Sequence, residues 1–195
     1  MEFFRAVPAS TDLTKRHVPF NTRRLPSNIP YAIDNLWEYL RPANKPSRRH
    51  AVYASPSSEL ALENASAFTQ GVNDVYVACR LVFEHSPRFM QLSVTDARHH
   101  ADVKALQRII HGVLGSQFAD LPVLQKLEVA ALFLPGVSAA ELGAAAQNSA
   151  QIRDILDQSA QVSTFWQGGD ILDPQSKGEL FFELDEGTGY SLQPV

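Results

Sequence analysis

The spacing of apolar positions along the chain swings from the two-residue period of a strand to the 3.6-residue period of a helix and back. Residues 2–7 alternate weakly and predict a strand, which ends at Pro8 because proline has no amide hydrogen to donate. Residues 10–27, broken by Pro19 and Pro26, predict a long loop. Ile33, Leu36, Trp37 and Leu40 then fall at i, i+3, i+4 and i+7, with Pro30 at the first turn and Pro42 past the last. This is a short amphipathic helix with Trp37 in the core. A strand over 50–54 runs into Ser55-Pro56-Ser57-Ser58-Glu59, where Ser55 reads as the cap of a helix over about 56–69. Strands are expected at 75–83 and from Phe89 to Thr95.

The middle of the chain is helical in pattern. Ala101, Val103, Leu106, Ile109, Ile110, Val113 and Leu114 form one stripe that Gly115 closes. Residues 121–134 and 138–160 repeat the period, the latter opened by Ser138 with Glu141 three residues on as a capping box. Leu106, Ile110, Leu127, Ala131, Ile152 and Leu156 are expected to bury against one another and the sheet. Strand character returns at 179–184 and, after the Gly187-Thr188-Gly189 turn, at 190–192. The expected fold is therefore α+β: one domain over 1–195, its mostly antiparallel sheet drawn from the N- and C-terminal segments, with a helical block at about 96–160 inserted between them.

Composition changes this picture little. An apolar share of 45% and a charged share of 19% are those of a globular protein. The longest apolar run, Val129 to Val137, is far short of the roughly 20 residues that cross a bilayer, so no membrane span is expected. Neither is a Sec-type signal, because Glu2, Arg5 and Asp12 flank only a very short apolar patch. The single cysteine, Cys79, sits in an apolar strand and reads as a buried structural thiol. Charge is more informative. Residues 1–50 hold nine basic side chains against four acidic ones in a chain whose net charge is −4. Such a segment faces an anion, or lies against the acidic remainder of its own fold.

Three sites bear candidate chemistry. Arg5 offers a planar fork that matches phosphate oxygens. On the second strand, Tyr53 offers a ring for stacking and Ser55 a hydroxyl at a helix start. Glu179, with Glu183 four residues on, brings a carboxylate to a late strand. Plain structural roles compete at each: Arg5 as a surface charge, Tyr53 as a core residue, Ser55 as a helix cap, Glu179 or Glu183 as a solvated strand residue. Arg23-Arg24 and Arg48-Arg49, with Tyr31 and Trp37 between them, are alternatively a basic-aromatic surface for single-stranded nucleic acid. His99, His100 and His111 lack cysteine or acidic partners at ligand spacing, so no metal is expected.

Taken in order, Phe4-Arg5-Ala6-Val7, then His50-Ala51-Val52-Tyr53-Ala54-Ser55, a helical block, and Gly178-Glu179-Leu180-Phe181-Phe182 resemble the ADP-ribosyltransferase-like toxin and effector fold. The resemblance implies that NAD is a substrate, gripped by Arg5, with Tyr53 and Ser55 shaping the nicotinamide pocket and Glu179 stabilising the reacting ribose. It also implies a protein or nucleic-acid target, and a cytoplasmic protein or one delivered to a host cell without a Sec signal. No Glu-x-Glu pair occurs, and Tyr-Ala-Ser stands where arginine-modifying members carry Ser-Thr-Ser, which leaves the acceptor open. Two other readings stay open: a non-catalytic immunity, adaptor or anti-defence protein that binds through its basic segment and helical block, and an RNA-processing enzyme of the same fold.

Overall fold

The computed structural model describes residues 2–18, 29–66, 75–167, 169, 172–173 and 175–195. The chain divides into two compact units, one formed by residues 1–22, 44–96 and 168–195, the other by 23–43 and 97–167.

The first unit holds strands β1 (Phe4–Pro8), β2 (Val52–Ala54), β3 (Tyr76–Phe83), β4 (Arg88–Gln91), β5 (Leu180–Glu183) and β6 (Tyr190–Pro194), with helix α2 (Ser58–Ser66). The α+β class follows the sequence expectation. Among the described residues, however, the strands form two three-stranded antiparallel sheets, β1-β3-β6 and β2-β5-β4. They meet at one bridge, where Phe4 and Ser55 exchange both backbone hydrogen bonds at 2.9 and 2.7 Å.

Alternation explains the core. Val7, Cys79, Leu81, Tyr190 and Leu192 share a face of the first sheet, and Val52, Ala54, Leu180 and Phe182 share a face of the second. Both sets enter one apolar cluster. Phe182 pins it, with its ring 4.7 Å from Phe3 and 4.9 Å from Phe83. Cys79 is fully buried there, and burial pushes its thiol pKa up, away from the reactive thiolate. Helix α2 packs on β1 and β3. Since β3 has a strand on each side, the helix reaches it over the other face, where Ala6 pairs with Ala78 and small side chains let it approach.

Several local expectations are corrected. His50 closes a 3-10 turn (Arg48–His50) and is not in the strand. Ser55 is not the helix cap, because α2 begins at Ser58 and Ser55 instead bridges Phe4. Ser57 takes that role, its Oγ accepting from the Leu60 amide at 3.2 Å. Residues 67–69 of the expected helix lie outside the described residues. The strand expected to reach Thr95 ends at Gln91.

The second unit gathers α1 (Tyr31–Leu40), α3 (Ala101–Leu114), α4 (Val123–Phe133), α5 (Ala139–Asn148) and α6 (Ala150–Val162). Beyond the inserted block it therefore takes in α1, from the first quarter of the chain. Trp37 is fully buried, its ring 4.0 Å from Phe165, and its carbonyl accepts from the Trp166 indole at 2.8 Å. Its own indole donates to Asp102 at 3.2 Å. Asp102, itself buried, also accepts from the Ser163 hydroxyl at 2.6 Å, the Thr164 hydroxyl at 3.0 Å and the Phe165 amide at 3.1 Å. One carboxylate thus fixes the chain where it leaves α6. Asn35 caps the end of α4, donating to the carbonyls of Leu132 and Leu134 at 2.9 and 2.8 Å.

Leu106, Ile110, Ile152 and Leu156 are buried as the stripe predicts, but Leu127 is 70% exposed. Helix α4 buries Val129 and Leu132 instead. The single helix expected over 138–160 is two, divided at Ser149, whose extended backbone closes α5 and whose Oγ accepts from the Ile152 amide to open α6. The capping box of Ser138 and Glu141 is formed.

Candidate functional site

Arg5 lies on β1 opposite Cys79, on the face of the shared core, and is half-buried. Its Nη1 donates to the Tyr190 hydroxyl at 3.2 Å. Among the described residues no carboxylate pairs with it. This contrasts with nearby cations: Arg16 pairs with Glu84, and Arg80 with Glu2. The Glu84 carboxyl is pulled down to about 2 by hydrogen bonds from Arg16 and the Gly189 amide.

Tyr190 is itself held by a segment that sequence reasoning left as loop. His17 and Tyr190 form an isolated antiparallel bridge with hydrogen bonds of 2.9 and 3.0 Å, and their rings stack at 5.1 Å with planes 20° apart. Burial lowers the His17 pKa, and the positive charges of Arg5 and Lys15 lower it further. The imidazole is thus neutral at pH 7.

Glu179 immediately precedes β5. Its carbonyl accepts from the Leu92 amide at 2.9 Å and its amide donates to the Val94 carbonyl at 2.8 Å, so its backbone is fastened just past the end of β4. The approach to it is fastened there too. The Gln91 amide donates to the Gly169 carbonyl at 3.3 Å, and the buried Gln91 side chain accepts from the Asp173 amide at 2.8 Å while donating to the Asp173 and Ser176 carbonyls. Gly178 passes so close that a Cβ would collide with the Leu92 carbonyl oxygen, a contact only glycine permits. Glu183, the other carboxylate considered, accepts from Arg88 and from the Ser47 amide, both at 3.0 Å. Those bonds tie it to the turn ahead of β2.

The antiparallel registers Ala54↔Leu180 and Phe4↔Ser55 make the ends of β1, β2 and β5 consecutive neighbours, so the segments carrying Arg5, Ser55 and Glu179 adjoin. The side chains expected to face one pocket do not share a face, however. Tyr53 and Ser55 alternate with Ala54, and residues paired across antiparallel strands share a face, so Arg5, next to Phe4, lies on the side of Ala54. Ser55 is buried and its Oγ accepts from Asn64 of α2 at 3.3 Å. Tyr53 donates to the Arg48 carbonyl at 2.8 Å and carries the Arg48 guanidinium 5.8 Å from its ring centre. Both residues are engaged in holding the fold.

The basic-aromatic surface is also corrected. Trp37, Arg48 and Arg49 are buried, while Arg23 and Arg24 lie outside the described residues. Among the described residues no three histidine, cysteine or acidic side chains converge as a metal site, and no helix is long and apolar enough to cross a membrane. His17, Tyr190 and Gln91 were not singled out by the sequence. His17 and Tyr190 meet from opposite ends of the chain, and no local spacing announces that. Comparison with known proteins finds no matching family model, no matching curated protein and no matching solved structure.

Proposed function

We propose that this chain is an NAD-consuming transferase of the ADP-ribosyltransferase-like type, acting on a macromolecular target. The observation that supports it most is Arg5: a half-buried guanidinium within a strand, with no carboxylate partner among the described residues. A guanidinium desolvated in this way favours an anion, and the diphosphate of NAD supplies one. In the reaction the bond between nicotinamide and ribose breaks, nicotinamide leaves with the bonding pair, and the anomeric carbon becomes cationic until an acceptor nucleophile adds and loses its proton. A carboxylate at that carbon stabilises the transition state more than the ground state. Glu179 takes this role in the proposal, as the late-strand carboxylate of the resemblance, and Glu183, four residues on, is the alternative.

The test is nicotinamide release from NAD. Glu179→Gln is expected to retain NAD affinity and slow release by about 100-fold, on the order of 3 kcal/mol of transition-state stabilisation. Glu183→Gln is expected to lower stability and leave turnover near wild type. Equal, wild-type-like turnover in both variants would falsify the assignment, and the absence of any release by the wild-type chain defeats the reading itself.

A second reading, a non-catalytic binding protein, is favoured by one feature of α4. Val123, Leu124 and Leu127 are each at least 70% exposed along one helix, a contiguous apolar face of the kind that marks an interaction surface. The nicotinamide-release assay separates the two, because a binding-only protein cleaves no NAD.

A further inference from the structure

The stacked pair beneath Arg5 has an unmet hydrogen bond. His17 Nε2 is buried and has no partner among the described residues, although its ring is held by the backbone bridge and by the face of Tyr190. A buried polar atom without a partner is uncommon, and each needs an explanation. Tyr190 offers more. Its hydroxyl accepts from Arg5, which leaves its own proton to donate elsewhere. The remaining N–H groups of Arg5 have no hydrogen bond among the described residues. The Arg5 guanidinium, the Tyr190 hydroxyl and the His17 imidazole thus gather around one tyrosine ring.

We propose that His17 and Tyr190 complete an anion site with Arg5, one that takes the phosphate oxygens of a nucleoside diphosphate. This rests on the reading of Arg5 as the anion ligand given above, and adds two residues to it. Arg5 supplies the charge and a forked pair of donors. In the tautomer with its proton on Nε2, His17 supplies a further hydrogen-bond donor. Tyr190 acts in two ways: it donates to the phosphate and, as a positioning residue, sets the plane of the guanidinium. The charges around His17 agree with this. Arg5 and Lys15 outweigh Asp12, and Glu84 is occupied by Arg16 and the Gly189 amide.

The site is tested by titrating the wild-type chain, Arg5→Ala, His17→Phe and Tyr190→Phe with inorganic pyrophosphate and with ADP. His17→Phe and Tyr190→Phe keep the stacked rings, and thermal melts check that both remain folded. Each is expected to weaken ADP binding about tenfold, the effect of one hydrogen bond to a charged group, and Arg5→Ala by more. Tyr190→Phe is expected to weaken ADP binding less in an Arg5→Ala background than in the wild type, because only its own bond to the phosphate is then lost, a non-additivity a purely structural tyrosine would not show. The ¹⁵N resonance of His17 Nε2 is expected to shift when ADP is added. Pyrophosphate binding that follows the same order assigns the site to the phosphates, while ADP binding alone assigns it to the whole nucleotide. Wild-type-like ADP affinity in folded His17→Phe and Tyr190→Phe overturns the proposal, as does a wild-type chain that binds neither probe. The transferase reading fails separately. ADP binding with these dependences but no cleavage of NAD keeps the anion site and removes the enzyme, and cleavage with no dependence on His17 or Tyr190 does the reverse.

Discussion

Within the helical unit, Asp102 accepts hydrogen bonds from Trp37, Ser163, Thr164 and Phe165, and its role is structural. Burial alone would raise its pKa, but hydrogen bonds from His100, Ser163 and the Thr164 amide outweigh it and hold the carboxyl well below its ordinary value. A carboxyl depressed in the folded state contributes stability that is complete above its unfolded pKa, near 3.8, and is lost as pH falls through the folded value. The Glu84 contribution follows the same sign between about 4.5 and about 2, but that group is exposed and salt screens it. Urea unfolding from pH 7 down to pH 2 is expected to show stability falling below about pH 4.5, with only the Glu84 part shrinking in high salt. Asp102→Asn is expected to cost about 2 kcal/mol or more at pH 7 and to flatten the loss below pH 3.8. Gly178→Ala tests the entry to β5: its Cβ meets backbone, which cannot swing aside, so a loss of about 1–3 kcal/mol is expected by denaturant titration. At this scale the sequence singles out Arg5 and Glu179 as candidates, because charges on apolar strands stand out. It concealed Gln91 and His17, whose importance lies in backbone groups more than 80 residues away.

Among the elements, helix faces separate what periodicity could and could not disclose. Helix α3 has one apolar stripe, and Leu106, Ile110 and Leu114 are buried along it. Helix α4 is apolar on most sides, so its period selects no face, and the choice of Val129 and Leu132 over Leu127 is made by packing against α1 and α5. Ile110→Ala is accordingly expected to cost about 2–5 kcal/mol, and Leu127→Ala less than about 0.5 kcal/mol, in the same denaturant titration. A comparable loss in both would place Leu127 in a core. The division of α5 from α6 was hidden because Leu142, Ile152 and Leu156 keep a helical rhythm across it. Ser149 marks the break only through its cap, and Ser149→Ala is expected to cost about 1 kcal/mol.

At the scale of the whole molecule, both units are discontinuous in sequence. The helical unit takes α1 from residues ahead of the second strand, and the sheet-bearing unit is assembled from three segments. Part of the basic N-terminal quarter is met by the acidic remainder, as Arg16 with Glu84 shows, while Arg5 is left to Tyr190. Composition forecast the imbalance but not that Arg5 would have no carboxylate partner among the described residues, since that depends on which strands adjoin. Removing residues 190–195 would strip an edge strand from β3 together with Tyr190, and is expected to lower the thermal midpoint and abolish ADP binding, measured by scanning fluorimetry with and without ADP. The same connectivity governs the order of assembly during synthesis. Strand β5 is the middle strand of its sheet, so β2 and β4 have no strand between them until residues 180–183 have left the ribosome, and Arg5 waits for Tyr190 longer still. A nascent chain therefore carries its guanidinium without the groups that orient it. If the protein consumes NAD, the cell that makes it is spared that activity until Tyr190 has emerged from the ribosome.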